Sequence, residues 1–398
     1  MSEQTVRTGD VAADAGGAAV GAAAVGTGAG GAGSTPPGDR ARSATIFDVA
    51  RLAGVSHQTV SRVLNDLPNV RPATRERVEK AIRQLRYVPS QAARALVTRR
   101  SRTIGVLATG LPDYGPTSIV LAVTASARDA GYAVISTNLA DSTGPGLRSA
   151  AEMLIRQNVE AIVLVVSTRA ELEAFEDAEL GVPLVAASSQ SAGRATTVTV
   201  DQYAGARTAV SHLIAEGHRD IRHIAGPVGS MDAEERIRGW RERLEGAGLP
   251  VREPERGDWT PESGYRIGRA MLAGAGAGAI AAGEIAADPE ARPDGIPSAA
   301  SLPDAVFVGN DQMALGLLHA IDEAGLSVPG DISVVGFDDI PEAAHFTPPL
   351  TTIRQDFALL GRDAMACVLV LLDEDSAGTL PHSRAPSLIT RASTAPAR

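Results

Sequence analysis

The sequence predicts an α/β chain in two parts: a small three-helix module, then two lobes built on parallel sheets. Amphipathic helical periods recur three times between residues 45 and 88. From residue 102 onward, short apolar runs rich in Val, Ile and Ala alternate with helical stretches, as in parallel sheets with crossover helices. The runs are TIGVLAT, YAVISTN, AIVLVVS, LVAAS, TVTVD, HIAGP, AVFVGN and ISVVGFDD. They are too many for one compact sheet, so two lobes with a cleft between them are expected.

The first predicted helix begins after Thr45, whose hydroxyl can cap it together with Asp48 three residues later. It ends at Gly54, which tolerates the positive φ of a tight turn between packed helices. Val55 is the small apolar filler of that turn, and Ser56 is the expected cap of the next helix. The buried face of the first helix consists of Ile46, Val49, Ala50 and Ala53.

The second helix has two faces of different chemistry. Val60, Val63 and Leu64 point inward, and the outward face is polar but barely charged, with His57, Gln58, Ser61, Arg62 and Asn65. Such a face suits the base edges of a DNA major groove, because Gln can bond adenine and Arg can bond guanine bidentately. The alternative is an ordinary solvated helix face.

A third helix is predicted from Pro72, a favoured first helical residue, with Arg71 at a cap position that lacks a capping side chain. Its apolar stripe, which would close a three-helix core, is Val78, Ala81, Ile82 and Leu85.

A hinge is predicted at residues 89–101, with a helix from about Ser90 to Val97. This helix is shorter than the roughly 12 residues that an isolated helix needs in water, so two copies packed over DNA would have to order it. Leu96 would then open a base step in the minor groove, and the nearby basic side chains Arg94, Arg99, Arg100 and Arg102 would meet phosphates. The alternative is a plain basic linker.

Charge is distributed unevenly along the chain. The net charge is −10, but the stretch from Thr45 to Arg102 carries twelve basic and four acidic residues, a local charge of +8 that leaves −18 elsewhere. Positive charge is therefore concentrated in the segment predicted to meet phosphates.

Cysteine content and the start of the chain both favour a cytoplasmic protein. Cys367 is the single cysteine, so an intrachain disulfide is impossible, and its apolar setting predicts a buried filler. No basic region precedes a long apolar run at the start, and no later run reaches about 18 uninterrupted apolar residues. Secretion and membrane association are not expected.

Four further blocks and the elements above complete a resemblance to a known family. GPVGSMDAEERIRGW at Gly226–Trp240, GDWTPESGY at Gly257–Tyr265, GNDQMALG at Gly309–Gly316 and the run from Asp331 to Gly361 follow the helix-turn-helix and the hinge in one order. In this order the chain resembles the lactose repressor family of bacterial transcription regulators. The resemblance implies a periplasmic-binding-protein-like bilobed domain after the DNA-binding module.

With that resemblance the chain divides into segments. They are a disordered Gly/Ala-rich tail (1–43), a helix-turn-helix domain (44–88), the hinge (89–101) and a bilobed effector-binding and dimerisation domain (102–398). Within the last domain, the N-lobe is expected at about 102–200 and 356–383, and the C-lobe at about 201–355 and 384–398. A flexible insertion at about 273–302 interrupts the C-lobe.

The resemblance also implies a sugar site between the lobes. Arg236, Asn310 and Asp338 would bond ligand hydroxyls, Trp259 would cover an apolar ring face, and Ile119 and Phe357 would line the pocket. Each has a structural alternative, such as a surface ion pair for Arg236. Nearby, Asp311 is predicted to cap the helix that follows it, and Asp339 to hold a loop.

Two departures from the family pattern bear on the ligand. Ser188 follows the strand LVAA where the pattern has a hydroxyl-binding aspartate, and Val200 stands at an aromatic pocket position. Ser188 still donates and accepts, but without a charge-assisted bond. A galactoside is thus one candidate among sugars.

The predicted function is a repressor that binds operator DNA as a homodimer and responds to a small effector, with no cofactor and no metal. The C-terminal residues carry no leucine heptads, which favours a dimer. The alternatives are a sugar-binding protein without a regulatory role and a regulator that responds to a non-sugar metabolite. A glycosidase using Asp338 and Asp339 is disfavoured, because adjacent residues at a strand end diverge, whereas glycoside hydrolysis needs carboxylates about 5 to 9.5 Å apart across a bond.

Overall fold

The structure is a computed structural model that describes residues 44–65, 67–88, 100–110, 112–139, 143–175, 178–189, 196–274, 302–373 and 385–397. These residues fall into two compact units that divide between Pro89 and Ser90. The predicted tail, the predicted hinge contacts of Arg94, Leu96 and Arg99, and nearly all of the predicted insertion lie outside the described residues.

The first unit is a three-helix module of α1 (Ile46–Ala53), α2 (His57–Leu64) and α3 (Pro72–Leu85). Thr45 and Asp48 form the predicted capping box, Gly54 ends α1 at φ 65°, and the Ser56 hydroxyl accepts from the Thr59 amide at 3.2 Å. Arg71 makes no side-chain cap bond at the start of α3. The core of the module is formed by Val49, Ala50, Ala53, Val60, Val63, Val78 and Ala81, so the predicted buried faces are confirmed.

The N-lobe of the second unit is a parallel sheet. Its strands are β1 (Thr103–Thr109), β2 (Ala133–Leu139), β3 (Ala161–Val165), β4 (Leu184–Ala187) and β5 (Thr196–Val198), in the order β2-β1-β3-β4-β5. The helices α4 (Tyr114–Asp129), α5 (Gly144–Arg156) and α6 (Arg169–Glu173) follow β1, β2 and β3 respectively along the chain.

The C-lobe is a second sheet, in the order β11-β10-β9-β8-β6-β7. Its strands are β6 (Ile221–Ala225), β7 (Glu255–Arg256), β8 (Ala305–Val308), β9 (Ser333–Asp338), β10 (Thr351–Arg354) and β11 (Ser387–Ile389), and β11 alone pairs antiparallel among the described strands. Its helices are α7 (Gln202–Ala215), α8 (Met231–Glu245), α9 (Pro261–Gly274) and α10 (Asp311–Glu323), with a 3₁₀ turn at Pro341–His345.

All eight predicted strands are present, and β7, β10 and β11 are additions. The additional strands, ER, TTIR and SLI, lack the apolar runs rich in Val, Ile and Ala that predict the other eight. After β10 the chain returns to the N-lobe as α11 (Phe357–Leu372), which packs on α4 and β4. Among the helices of the described residues, none is long and apolar enough to cross a membrane.

The lobes also meet where α8 begins. The Met231 amide donates to the Ser167 carbonyl at 2.9 Å, and Ser230 forms a β-bridge with Thr168. The Met231 side chain is buried in the N-lobe core beside Leu107 and Leu172. The C-lobe therefore places one apolar side chain inside the other lobe at the edge of the cleft.

The pair α9 and α10 packs so closely that glycine is required at the contact. A Cβ on Gly316 would lie 1.9 Å from the Pro261 carbonyl oxygen, and a Cβ on Gly264 would lie 2.1 Å from the Met313 carbonyl oxygen. Both neighbours are backbone atoms, which cannot rotate out of the way.

We expect Gly316→Ala to lower the free energy of unfolding by about 1–3 kcal/mol, because overpacking outweighs the gain in helix propensity. The matched control is Gly144→Ala at the start of α5, where the new Cβ would meet the Ala174 Cβ at an ordinary 3.7 Å. Urea unfolding followed by tryptophan fluorescence measures both. Equal stability of the two variants would contradict the close packing of α9 on α10.

Candidate functional site

A pocket lies between the lobes, where the carboxyl ends of β3, β4 and β9 face the N-termini of α7, α8 and α10. Open α/β sheets bind ligands at this edge. The structure brings all of the sequence-predicted effector residues to its wall, namely Ile119, Ser188, Arg236, Trp259, Asn310, Asp338 and Phe357.

Arg236 is the centre of the polar wall and is only 4% exposed, so it is not a surface ion-pair residue. Its Nε donates to Gln202 Oε1 at 3.0 Å, and its Nη1 donates to the Gly309 carbonyl. Its Nη2 lies 3.6 Å from Asp338 Oδ1. Since a buried charge needs partners on every side, this set of contacts fixes the guanidinium in one orientation.

Two glutamines close a ring of polar contacts around this charge. Gln202 Nε2 donates to Gln355 Oε1 at 2.8 Å, and Gln355 Nε2 donates to Asp338 Oδ1 at 2.7 Å. The ring runs from Arg236 on α8 to Gln202 on α7, then to Gln355 after β10, to Asp338 at the end of β9 and back to Arg236. Every member of the ring is buried, so each holds the next in place.

Asp338 is a buried carboxylate in a strained backbone conformation. Its φ is 108°, in the left-handed half that L residues avoid at a cost of about 1–3 kcal/mol. Burial raises its pKa to about 6, opposed by the Arg236 charge and the Gln355 hydrogen bond. Its contacts to Gln355 and Arg236 are both made by Oδ1, and no hydrogen bond to Oδ2 is found among the described residues. That oxygen can accept from a ligand.

Asn310, not Asp311, caps α10, so the prediction for Asp311 is wrong. Asn310 Oδ1 accepts from the Met313 amide at 2.9 Å, and its Nδ2 donates to the Trp259 carbonyl at 3.0 Å. Asp311 instead turns into the C-lobe, where it accepts from Thr352 Oγ1 at 2.6 Å. The extended backbone of Asn310 aims its amide at the first turn of the helix, a geometry that sequence alone leaves equally open to either residue.

Trp259 lies against two glycines at the rim of the pocket. A Cβ on Gly226 would lie 2.1 Å from the indole, and a Cβ on Gly309 would lie 3.2 Å from it. The Arg236 guanidinium carbon is 5.4 Å from the indole centroid and 3.9 Å from that of Phe337. The indole therefore presents a broad apolar face beside a fixed cation.

The N-lobe wall is largely apolar. Ile119 and Phe357 lie on α4 and α11, and the Phe357 ring meets Tyr114 edge-on with centroids 5.9 Å apart. Ser188 is buried at the end of β4, with its hydroxyl 3.7 Å from the Met231 sulfur. The N-lobe contributes most of the apolar lining and the C-lobe most of the buried hydrogen-bonding groups, a combination that suits a sugar ring.

Asp339 ties a loop, as predicted. Its two carboxylate oxygens bind Arg354 Nε at 2.5 Å and Arg391 Nη2 at 2.6 Å. These bonds hold Asp339 away from Asp338, so the two do not form an acid and base pair across a ligand.

Sequence reasoning missed several polar residues of the wall, among them Asp113, Gln202, Asp232 and Gln355. Each of these four lies within two residues of a helix start, and helix N-termini converge on the cleft. The sequence did offer a signal for Gln202 and Gln355. Each is adjacent to a capping aspartate, Asp201 or Asp356, which marks the start of a helix.

In the helical module, the outward face of α2 is confirmed only in part as a free surface. His57, Gln58 and Arg62 are exposed, and the His57 ring packs on Phe47 with centroids 5.3 Å apart. Ser61 and Asn65 are half-buried, and Asn65 Nδ2 donates to the Ser61 carbonyl at 2.9 Å and to its hydroxyl at 3.3 Å. These two side chains are therefore already bonded to each other.

A helix-turn-helix module joined to a two-lobed domain with a polar cleft defines the class of ligand-modulated DNA-binding regulators. Comparison with known families agrees. Residues 45–90 match bacterial regulatory proteins of the lacI family. Residues 112–262 match periplasmic binding proteins and the sugar binding domain of the LacI family, and residues 210–394 match a periplasmic binding protein-like domain.

Individual proteins are similar over most of their length. The lactose operon repressor of Escherichia coli (strain K12) is 35% identical over 332 residues, covering 83% of this chain and 85% of that protein. The HTH-type transcriptional regulator CelR of Thermobifida fusca is 35% identical over 346 residues, covering 83% and 92%. The chain belongs to the lacI family of bacterial regulatory proteins, and it is a DNA-binding transcriptional regulator.

Solved structures show the same architecture. The lac repressor dimer bound to operator and the anti-inducer ONPF superposes with a TM-score of 0.76 at 34% identity, covering 89% of this chain and 100% of that one. A complex of the transcriptional regulator CelR with cellobiose has a TM-score of 0.61 at 30% identity, covering 88% and 99%.

Replacing Asp338 by Asn should change how stability depends on pH. The pKa of Asp338 in the folded protein, about 6, is raised above the usual 3.8, so its stabilising protonated form is fully populated below pH 3.8 and is lost as pH rises through 6. The stability of the wild type relative to Asp338→Asn should therefore fall between pH 4 and pH 7, by up to ~3 kcal/mol.

Urea unfolding at a series of pH values measures this difference. Burial and the charge of Asp338 both raise the pKa of Asp311 well above its usual value, so the difference between the two profiles reports Asp338 together with its coupling to Asp311. Parallel pH profiles for the two proteins would contradict the burial of an ionisable group at Asp338.

Proposed function

We propose that the protein is a repressor whose affinity for operator DNA falls when a small sugar binds between the lobes. The observation that carries this is the closed ring around Arg236. It fixes hydrogen-bonding groups beside the Trp259 indole before any ligand arrives, and preorganised polar groups next to an apolar platform are what a ring of hydroxyls needs. A galactoside is one candidate ligand.

The proposed ligand contacts follow from what the protein leaves open. Asp338 Oδ2 accepts from a hydroxyl, and Arg236 donates through N–H groups that its protein partners leave unused. Asn310 accepts through its second lone pair, since both N–H groups of its amide already have partners, at Trp259 and at Gln312. Ser188 contributes a hydroxyl, and Trp259, Ile119 and Phe357 enclose the ring.

On DNA, we assign base reading to His57, Gln58 and Arg62, supported by their exposure on one face of α2. Ser61 and Asn65 then act as a bonded pair that orients this face rather than as independent readers. We further propose residues 44–88 as the DNA-binding domain, residues 89–101 as a hinge in which Arg94 and Leu96 touch DNA, and residues 102–398 as the effector domain.

The proposed assembly is a homodimer that reads two half-sites of a near-palindromic operator. It is supported by the similarity to the lac repressor, whose structure is described as a dimer bound to operator. Release by the ligand, rather than recruitment, is favoured by the same similarity.

Loss of either reading side chain should relax base preference at one operator position. We expect Gln58→Ala or Arg62→Ala to reduce discrimination there by about 1–3 kcal/mol, because a bidentate contact is lost. Gln84→Ala, an exposed glutamine on α3, is the matched control and should leave the preference intact. Fluorescence anisotropy against single-base operator variants measures it. Unchanged preference in the Gln58→Ala, Arg62→Ala double variant would remove α2 as the reader.

Trp259 offers a direct signal of ligand binding, because the chain has only two tryptophans and Trp240 is fully buried in the C-lobe core. We expect sugar binding to change the emission of the wild type and Trp259→Leu to lose that change. Sugar affinity in the variant, measured by calorimetry, should fall by about 0.5–1.5 kcal/mol as the platform is lost.

The control is internal to the Trp259→Leu variant. Trp240, whose indole donates to the Ile221 carbonyl at 3.2 Å, still reports the folded C-lobe. Wild-type affinity in a folded Trp259→Leu protein would show that the indole does not contact the ligand.

A further inference from the structure

The pocket carries more negative than positive charge. Its described wall contains three carboxylates, Asp113, Asp232 and Asp338, but a single cationic side chain, Arg236. A fourth carboxylate, Asp258, is close enough to Asp113 to raise its pKa. The formal charge of these four side chains is therefore −2, before Asp258 is counted.

The single cation is already matched by protein groups. Arg236 Nη2 lies 3.6 Å from Asp338 Oδ1 and 3.9 Å from Asp232 Oδ2, and the guanidinium also donates to Gln202 and to Gly309. One guanidinium shared by two carboxylates has no positive charge left over for an anionic ligand. Asp113 lies on the opposite lobe, and no cationic partner for it is found among the described residues.

The pKa values of two of these carboxylates are raised, as expected where negative charge is in excess. Burial, together with the charge of Asp258, raises the pKa of Asp113, and Asp232 and Asp113 both contribute to the raised pKa of Asp338. Asp113, Asp232 and Asp338 all line the same pocket, so carboxylates from both lobes face one space. A positive charge placed there would relieve the repulsion among all of them.

A bare metal ion does not fit this arrangement. Among the described residues, no group of three or more His, Cys, Asp or Glu side chains is close enough to hold one. The carboxylates are instead spread around a cavity that also presents Trp259, Phe357 and Ile119. This combination suits an organic cation with an apolar face.

We propose that the effector is a positively charged sugar, an amino sugar, whose ammonium group is attracted by the combined negative charge of Asp113, Asp232 and Asp338 around the pocket. This inference rests on the proposed function, since it names the charge class of the ligand in the same pocket. The ring hydroxyls meet Arg236 and Asn310, and the apolar ring face lies on Trp259. Asp113 and Asp232 come from different lobes, so the cation also favours the closed arrangement of the cleft.

The test is calorimetric titration of the full-length protein with related sugars that differ in the charge of one substituent. The set is galactose and glucose, each as the parent sugar, the 2-amino sugar, the neutral N-acetyl derivative and the 6-phosphate. We expect one amino sugar to bind at least about tenfold tighter than its parent, N-acetylation to abolish the gain, and the phosphates not to bind.

Two variants locate the charge pairing. Asp113→Asn and Asp232→Asn should each reduce the preference for the amino sugar over the parent by about 3-fold or more, while binding of the parent sugar changes less. Glu245→Gln removes one negative charge from the exposed end of α8, away from the pocket, and should leave the preference unchanged. A loss in Glu245→Gln equal to that in the aspartate variants would attribute the effect to overall charge and overturn the proposal.

The outcomes separate this inference from the function on which it rests. If parent sugars bind in the pocket and weaken operator binding at least as well as amino sugars do, the repressor function stands and the cationic effector is wrong. Tight binding of a 6-phosphate would also overturn it. If no sugar of any charge binds or alters operator binding, the proposed function itself fails.

Discussion

The buried guanidinium of Arg236 is the interaction on which the cleft depends. It reaches from α8 to α7 through Gln202, to the end of β8 through Gly309 and to the end of β9 through Asp338. A charge this deeply buried is stable only if its partners stay in place, so the contacts that neutralise Arg236 also lock the ends of three elements of the C-lobe. The polar wall of the pocket is consequently rigid before a ligand binds.

The N-lobe side of the cleft has a different character. Its contact with α8 is made by Met231, which is buried in the N-lobe core, and by the backbone pairing of Ser230 with Thr168. Apolar insertion and a single bridge can shift as one lobe moves on the other, whereas the Arg236 ring lies within the C-lobe and moves as a unit. Ligand contacts that reach both walls therefore favour one lobe arrangement over another, which is how a ligand shifts a conformational equilibrium.

Much of this could be predicted from the sequence, because it depends on local rules. The capping box at Thr45, the left-handed Gly54 and the eight strands that the apolar runs predict follow from local residue types. The resemblance to a family supplied Arg236, Trp259 and Asp338, which lie more than 100 residues from Ile119 along the chain. The helical and strand periods of the sequence relate only nearby residues, so they do not predict that such positions share one pocket.

What sequence could not supply is pairing through space. The choice of Asn310 over Asp311 as the cap depends on a backbone angle, and the closure of the ring by Gln202 and Gln355 brings together residues 153 positions apart. The net negative wall likewise appears only when Asp113 and Asp232, on different lobes, face one space. These features belong to tertiary structure, and each bears on which ligand the pocket takes.

The most direct test of the central claim, that one conformational equilibrium links the pocket to DNA binding, is a pair of affinities measured in both directions. The Kd for operator is measured with and without saturating sugar, and the Kd for sugar with and without saturating operator. The account predicts that both change by the same factor, of about 5 to 150. If both ligands bind but neither affinity changes, the two sites are not coupled and the account is contradicted.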